Sequence, residues 1–196
     1  LDAKNLEVLE VALYDSVKGK GKHEKKTERK MLSFTYDKDA DKLHITLPQE
    51  IKKGKTVTLY FKTITKPTKN ILEGLYYDET PEGAPPTQIT QCQQWGFQRL
   101  TPCFDDMTAK CTYTTTILAD SRYTNMISNG NAAPEFRDAN GIPTKKDVGN
   151  SRSMICYYNH TTPMAPYLFF LGVGTYATFR MEFEYPDGKT FLLELL

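Results

Sequence analysis

Apolar residues recur at every second position in several separated stretches of this chain. Nowhere do they keep a three-to-four-residue stripe over a helical length. That period admits strands and leaves little room for helices. Thr178 to Tyr185 sets Phe179, Met181, Phe183 and Tyr185 against Arg180, Glu182 and Glu184. Pro186-Asp187-Gly188 then turns the chain and Thr190 to Leu196 returns, which predicts a hairpin. Leu32 to Tyr36, Leu43 to Leu47, Val57 to Ile64, Cys111 to Ile117 and Met154 to Tyr158 also read as strands. Leu6 to Tyr14 is apolar on both faces, so a largely covered strand is expected. Tyr167 to Val173 is a near-continuous apolar run and should be buried on both faces. The expected fold is all-β: a mainly antiparallel, multi-stranded, saddle- or sandwich-like domain of about ten strands with little helix.

At 196 residues the chain is one domain by length, residues 1–196. A net charge of +1 argues against a nucleic-acid partner. The exception to that balance is Lys18 to Lys30, with two glycines, many lysines and no apolar anchor. It reads as a solvated hairpin tip; it has no interleaved aromatics and contains Glu24 and Glu28. No run reaches the roughly 20 apolar residues of a membrane-spanning helix, so no membrane partner is expected. Cys92, Cys103, Cys111 and Cys156 show no CxxC spacing and are too sparse for a disulfide scaffold. Free thiols point to a reducing compartment, and the cytoplasm is expected.

His23, His44 and His160 are the only histidines, and no two stand at metal-ligand spacing. No metal-ligating or catalytic residue is therefore expected in this chain. Gly172-Val173-Gly174-Thr175-Tyr176-Ala177 mimics a dinucleotide fingerprint, but the residues after it read as a strand where that motif needs a helix. Asp105 and Asp106 are adjacent, so on an extended chain they point apart and serve a turn better than a catalytic dyad. Gln91 and Gln93 are the candidate binding residues. On an extended strand their i, i+2 spacing puts both amides on one face, where the carbonyl oxygens can accept from an amine. Spacing alone favours the plainer reading, two glutamines on a solvated strand face. Trp95, the single tryptophan, should be packed in the core beside Tyr167 to Leu171.

Several separated words, in order, resemble the N-terminal domain of the aminopeptidase N family of zinc metallopeptidases. They are Leu72-Glu73-Gly74-Leu75-Tyr76, then Thr90-Gln91-Cys92-Gln93 followed by Gly96-Phe97 and Arg99. The corner Pro102-Cys103-Phe104-Asp105-Asp106, the turn Ser128-Asn129-Gly130-Asn131 and Pro166-Tyr167-Leu168-Phe169 follow. Leu1-Asp2 with Leu6 is similar to the family's LDxxxL segment, which lies after several opening strands. The resemblance implies an excised N-terminal domain, without those opening strands and without the catalytic domain. It implies zinc in the full-length parent and none here, so that this chain alone is inactive. It implies that Gln91 and Gln93 contact the free N-terminus of peptide substrates, with the parent's catalytic domain as partner in cis. Many bacterial members have glutamate where this chain has Gln93; the leukotriene hydrolase branch has glutamine. Two other readings remain open at this point. One is a scaffold domain of a catalytically inactive, aminopeptidase-like assembly subunit. The other is an unrelated adhesion or carbohydrate module stacking on Trp95 and the tyrosines.

Overall fold

The structure, a computed structural model, describes residues 1–16 and 27–195. Fifteen strands account for the regular structure of those residues. In chain order they are β1 (Leu6–Ser16), β2 (Thr27–Met31), β3 (Ser33–Asp37), β4 (Lys42–Thr46) and β5 (Thr58–Thr65). Next come β6 (Gly74–Asp78), β7 (Thr87–Gln91), β8 (Cys111–Asp120), β9 (Asn125–Ser128) and β10 (Asn131–Ala132). β11 (Lys146–Gly149), β12 (Arg152–Met164), β13 (Leu171–Gly174), β14 (Phe179–Glu184) and β15 (Thr190–Leu195) complete the set. The helical segments among the described residues are three single 3-10 turns, so the fold is all-β. None of these is long and apolar enough to cross a membrane. Of the basic stretch Lys18 to Lys30, residues 18–26 lie outside the described residues, and Thr27 already opens β2.

The sequence suggests one domain, and the chain packs as two compact units. The first comprises Leu1–Tyr77, Thr90–Thr112 and Thr161–Phe170; the second comprises Asp78–Ile89, Tyr113–His160 and Leu171–Leu196.

In the first unit β2, β1 and β5 form an antiparallel sheet in that order, and β3 and β4 form a hairpin. The two apolar faces of β1 have a different cause from the one expected. The register against β5 shifts between Val8 and Glu10. An extra residue in one strand reverses which side chains point inward. Leu6 and Val8 enter the core before the shift, and Val11 and Leu13 enter it afterwards. Leu9 stays 42% exposed, so β1 is not covered on both faces. Leu32 and Leu43 close this core with Phe34, Tyr36, Ile45, Leu59 and Phe61.

The first residues act as a strap. Leu43 N donates to Leu1 O at 2.8 Å and Ala3 N to Asp41 O at 3.0 Å. Asp2 and Cys103 exchange backbone hydrogen bonds of 2.7 and 3.0 Å, and Lys4 N donates to Gln98 O at 3.0 Å. The Asp2 carboxylate pairs with Lys42 and accepts from Asp105 N at 3.0 Å. Partial burial works against its charge, but the Lys42 and Asp105 hydrogen bonds prevail and hold it below the usual carboxylate range. The aspartate of the LDxxxL word thus joins the β3-β4 hairpin to the corner at Asp105.

In the second unit β13 lies between β7 and β9, antiparallel to both. β12 lies between β10 and β11 and also pairs with β8. β14 and β15 form the hairpin that the sequence predicts, with Phe183 opposite Phe191. Ile117, Met126, Phe136, Ile155, Tyr157 and Val173 build the core. The Tyr157 hydroxyl donates to Met126 O at 2.8 Å, which satisfies its polar tip at depth. Gly130 has φ +89°, and a Cβ there would lie 2.2 Å from Tyr158 O. Only glycine lets the Ser128–Asn131 turn pass this close to β12.

The run Tyr167 to Val173 is not one buried strand. Pro166 fixes φ and lacks an N–H, and it opens a 3-10 turn over Pro166–Leu168, with Phe169 N donating to Pro166 O at 3.0 Å. The strand is confined to β13, and Leu168 is 49% exposed.

Candidate functional site

The glutamine-rich word of the first unit begins where β7 stops. Gln91 is the last residue of the strand. Cys92 is buried, Gln93 to Gly96 make a turn, and Phe97–Arg99 is a single 3-10 turn. Gln91 and Gln93 therefore do not share the face of one extended strand, as their spacing suggests. The chain bends between them, and the Gln91 side chain follows the bend: its Oε1 accepts from Gln93 N at 2.8 Å. The arrangement is an Asx-like closure made with a longer side chain. The peptide bond between Gln93 and Gln94 is cis. Gln91, Gln93 and Gln94 are all exposed.

Trp95 is 56% exposed, contrary to the packed position expected from its size. Phe97 takes the buried place, edge-on to Phe169 at 5.0 Å between ring centroids. The tightness of the turn explains the exchange. Gly96 N donates to Cys92 O at 2.9 Å, and a Cβ on Gly96 would lie 2.5 Å from Gln91 O. The chain folds directly back on itself there, leaving the Trp95 side chain outside.

Beneath the turn lies a charged and polar floor. Arg99 is buried and donates through Nε to Glu73 Oε2 at 2.7 Å, with Nη2 2.5 Å from the same oxygen. Gly74 has φ +72°, and a Cβ there would sit 2.6 Å from Arg99 Cβ. The words Leu72-to-Tyr76 and Gly96-to-Arg99, twenty residues apart in the chain, are one packed contact. Asp105 is also buried, and its Oδ2 accepts from Gln98 N at 3.0 Å. Burial pushes its carboxyl above the usual range; the amides of Gln98 and Phe97 pull the other way, and the charges of Asp2 and Glu73 add to the rise. Asp106 points outward and accepts from Thr108 N at 2.7 Å, so the two aspartates separate as their adjacency implies.

The surroundings of the two thiols here favour the protonated form over the thiolate. Burial first, and the Asp105 charge second, push Cys92 up to about 12. The same two causes, in the same order, raise Cys103. All four cysteines are free. Among the described residues no group of three or more His, Cys, Asp or Glu side chains is arranged to hold a metal ion. His44 is exposed on β4, and His160 stacks on Tyr158 at 5.1 Å, with Thr114 Oγ1 2.6 Å from its Nε2. His23 lies outside the described residues.

Sequence reasoning on single residues missed Asp2, Glu73, Arg99 and Gln98. Their signal was present in three of the spaced words: Asp2 in the LDxxxL segment, Glu73 in Leu72-to-Tyr76, and Gln98 with Arg99 in Gly96-to-Arg99. The whole-chain comparisons agree with those words. Residues 1–168 match the model of the peptidase M1 N-terminal domain. The chain belongs to that family. It is 30% identical over 162 residues to aminopeptidase N of Haemophilus influenzae, covering 82% of this chain and 16% of that protein. It is 25% identical over 143 residues to leukotriene A-4 hydrolase of Xenopus laevis, covering 73% of this chain and 22% of that protein. The chain thus spans about a fifth of the length of these curated relatives. Among solved structures, Legionella pneumophila aminopeptidase A in complex with aspartic acid superposes with a TM-score of 0.72 at 20% identity. That match covers 98% of this chain and 19% of the other. An M1 zinc metallopeptidase from Deinococcus radiodurans, solved with a Tyr-Ser-Ala substrate, gives 0.67 at 14% identity, covering 98% of this chain and 38% of the other. These two likenesses establish the fold. The chain is an N-terminal domain of the aminopeptidase type.

Proposed function

We propose that this domain walls the active-site cleft of a zinc aminopeptidase and binds the free N-terminus of the peptide substrate through Gln93 and Gln91. The observation that carries this reading is the exposed glutamine turn, tied by hydrogen bonds over the Glu73–Arg99 and Asp105 floor. Buried Cys92 and Phe97 flank the turn, but the side chains of Gln93, Gln94 and Trp95 are in solvent, so their own packing does not account for the hydrogen bonds that tie it.

The chemistry follows from the side chains. A peptide's α-ammonium has three donors and a full positive charge, and an amide oxygen accepts through two lone pairs. Gln93 offers its side-chain oxygen. Gln91 Oε1 uses one lone pair on Gln93 N and keeps the other for the substrate. Gln91 is then both a ligand and the support for its neighbour. An N-terminus blocked by acylation brings no ammonium and gains nothing from the pair. Hydrolysis belongs to a zinc centre in the parent's catalytic domain, which polarises the scissile carbonyl or its attacking water. This chain supplies no step of that chemistry and alone hydrolyses nothing. Free thiols agree with a cytoplasmic setting.

The test uses the full-length parent with matched unblocked and N-acetylated peptides. Release of one residue at a time from unblocked peptides, with kcat/KM for the acetylated partners lower by about two decades or more, is expected from the loss of a charge-assisted contact. Equal rates on both would overturn the reading.

A further inference from the structure

Gln93, Gln94 and Trp95 all face solvent, so their own side chains do not pack the turn, although buried Cys92 and Phe97 flank it. Hydrogen bonds to its backbone tie the residues between. At the near end the ties are Gln91 Oε1 to Gln93 N at 2.8 Å and Gly96 N to Cys92 O at 2.9 Å. At the far end Phe97 packs on Phe169 and Arg99 pairs with Glu73 beyond the turn, and the tie that reaches back into the turn itself runs through Gln98. Asp105 Oδ2 accepts Gln98 N at 3.0 Å from seven residues away. Gln98 Nε2 donates to Trp95 O at 2.9 Å, and Gln98 O accepts Lys4 N at 3.0 Å. Three polar groups of one residue are therefore committed. Its backbone is clamped from below by the buried carboxylate and the N-terminal strap. Its side chain reaches back to hold the carbonyl two residues after Gln93.

The carboxylate has a reason to stay in place. Asp105 is 6% exposed, and a polar group at that depth must keep its donors or carry the full cost of desolvation. Its own N–H is spent on Asp2 Oδ2, so it is held on both sides. By contrast Gln98 is only partly buried, and its side-chain amide donates to Trp95 O. Its donor is what the position uses.

We propose that Asp105 and Gln98 form a relay that holds the Gln93 turn in its binding conformation, which makes them positioning residues for the substrate's N-terminus. This rests on Gln93 being a substrate ligand, as argued above. Neither relay residue touches substrate. A ligand amide held in place before binding loses less freedom when substrate arrives, so releasing it weakens binding and leaves the bond-breaking step alone.

The experiment measures KM and kcat on an unblocked amino-acid p-nitroanilide with the full-length parent. The variants are Gln93→Ala, Gln98→Ala, Gln98→Glu, Asp105→Asn and the double variant Gln93→Ala/Gln98→Ala. Gln98→Ala should raise KM about three- to tenfold, the size of one hydrogen bond, with kcat within about twofold. Gln98→Glu keeps the volume and removes the donor, so it should show the same rise; a purely space-filling role would leave it at wild type. Asp105→Asn should move KM in the same direction. In the double variant the Gln98 change should add less than about twofold, because the residue it positions is gone. If both Gln98 variants keep wild-type KM while Gln93→Ala raises it, the relay is wrong and the binding site stands. Full additivity in the double variant also defeats the relay. Wild-type kinetics in Gln93→Ala would instead defeat the underlying site. Asp105→Asn can fail to fold, and the Gln98 pair decides the question without it.

Discussion

Two turns, one in each unit, carry the same sequence signal and do different work. Gln93 to Gly96 and Ser128 to Asn131 both contain a glycine on which a Cβ would overlap backbone. At Gly96 the overlap is 2.5 Å from Gln91 O, at a φ any residue can adopt; at Gly130 it is 2.2 Å from Tyr158 O, at φ +89°. The second turn lies against β12, with Asn131 paired to Tyr158 and Ala132 to Tyr157. It joins two strands over an apolar core. The first turn lies over charged groups and leaves two glutamines and a tryptophan in solvent. A glycine in a short polar word thus marks close backbone approach in either setting. What lies beneath the two turns differs: charged groups under the first, an apolar core under the second.

Substitution at the two glycines should separate these roles. Gly130→Ala combines a left-handed φ with a backbone overlap and should destabilise the domain by about 2–5 kcal/mol. Gly96→Ala has only the overlap, so about 1–3 kcal/mol is expected. In the full-length parent Gly96→Ala should also raise KM for unblocked peptides, whereas Gly130→Ala should change stability alone. Urea unfolding midpoints with matched kinetics check both. An equal KM effect from the two would erase the contrast between the turns.

A smaller effect concerns pH. The folded state raises the Asp105 carboxyl above its unfolded value, so the folded protein holds this proton more tightly. Its contribution is fully present below about pH 3.8 and is lost as pH rises through the folded value. Asp2 has the opposite sign: its folded value is lowered, and its contribution is lost as pH falls through that value. Denaturation midpoints of Asp105→Asn, taken relative to wild type, should therefore rise as pH is raised from about 3.8 toward neutrality. A constant difference across that range would mean that Asp105 is not the group responsible.

Strand periodicity was legible in the alternation itself, and β3, β4, β5 and the β14-β15 hairpin lie within a residue or two of where it puts them, although both strands of that hairpin are almost wholly exposed. Three features were not. The β1 register shift mimics a strand covered on both faces, since alternation cannot distinguish a bulge from double burial. Pro166 breaks an apolar run that hydrophobicity alone reads as one strand. Trp95 is outside because Gly96 turns the chain sharply, a constraint that residue size does not reveal. Gln91 and Gln93 could be picked out as a pair, but the bend between them could not. Short partners such as β10 and β11 carry too few residues for a period to show.

The central claim concerns Gln93, and kinetics on the full-length parent test it directly. Gln93→Ala removes the amide oxygen offered to the substrate's ammonium. A hydrogen bond to a charged group contributes about 1.5–3 kcal/mol, so kcat/KM should fall by roughly one to two decades with zinc fully loaded and the denaturation midpoint unchanged. Gln93→Glu should lower KM for unblocked peptides, because a carboxylate attracts the ammonium more strongly. Wild-type kcat/KM in Gln93→Ala at full zinc content would contradict the account.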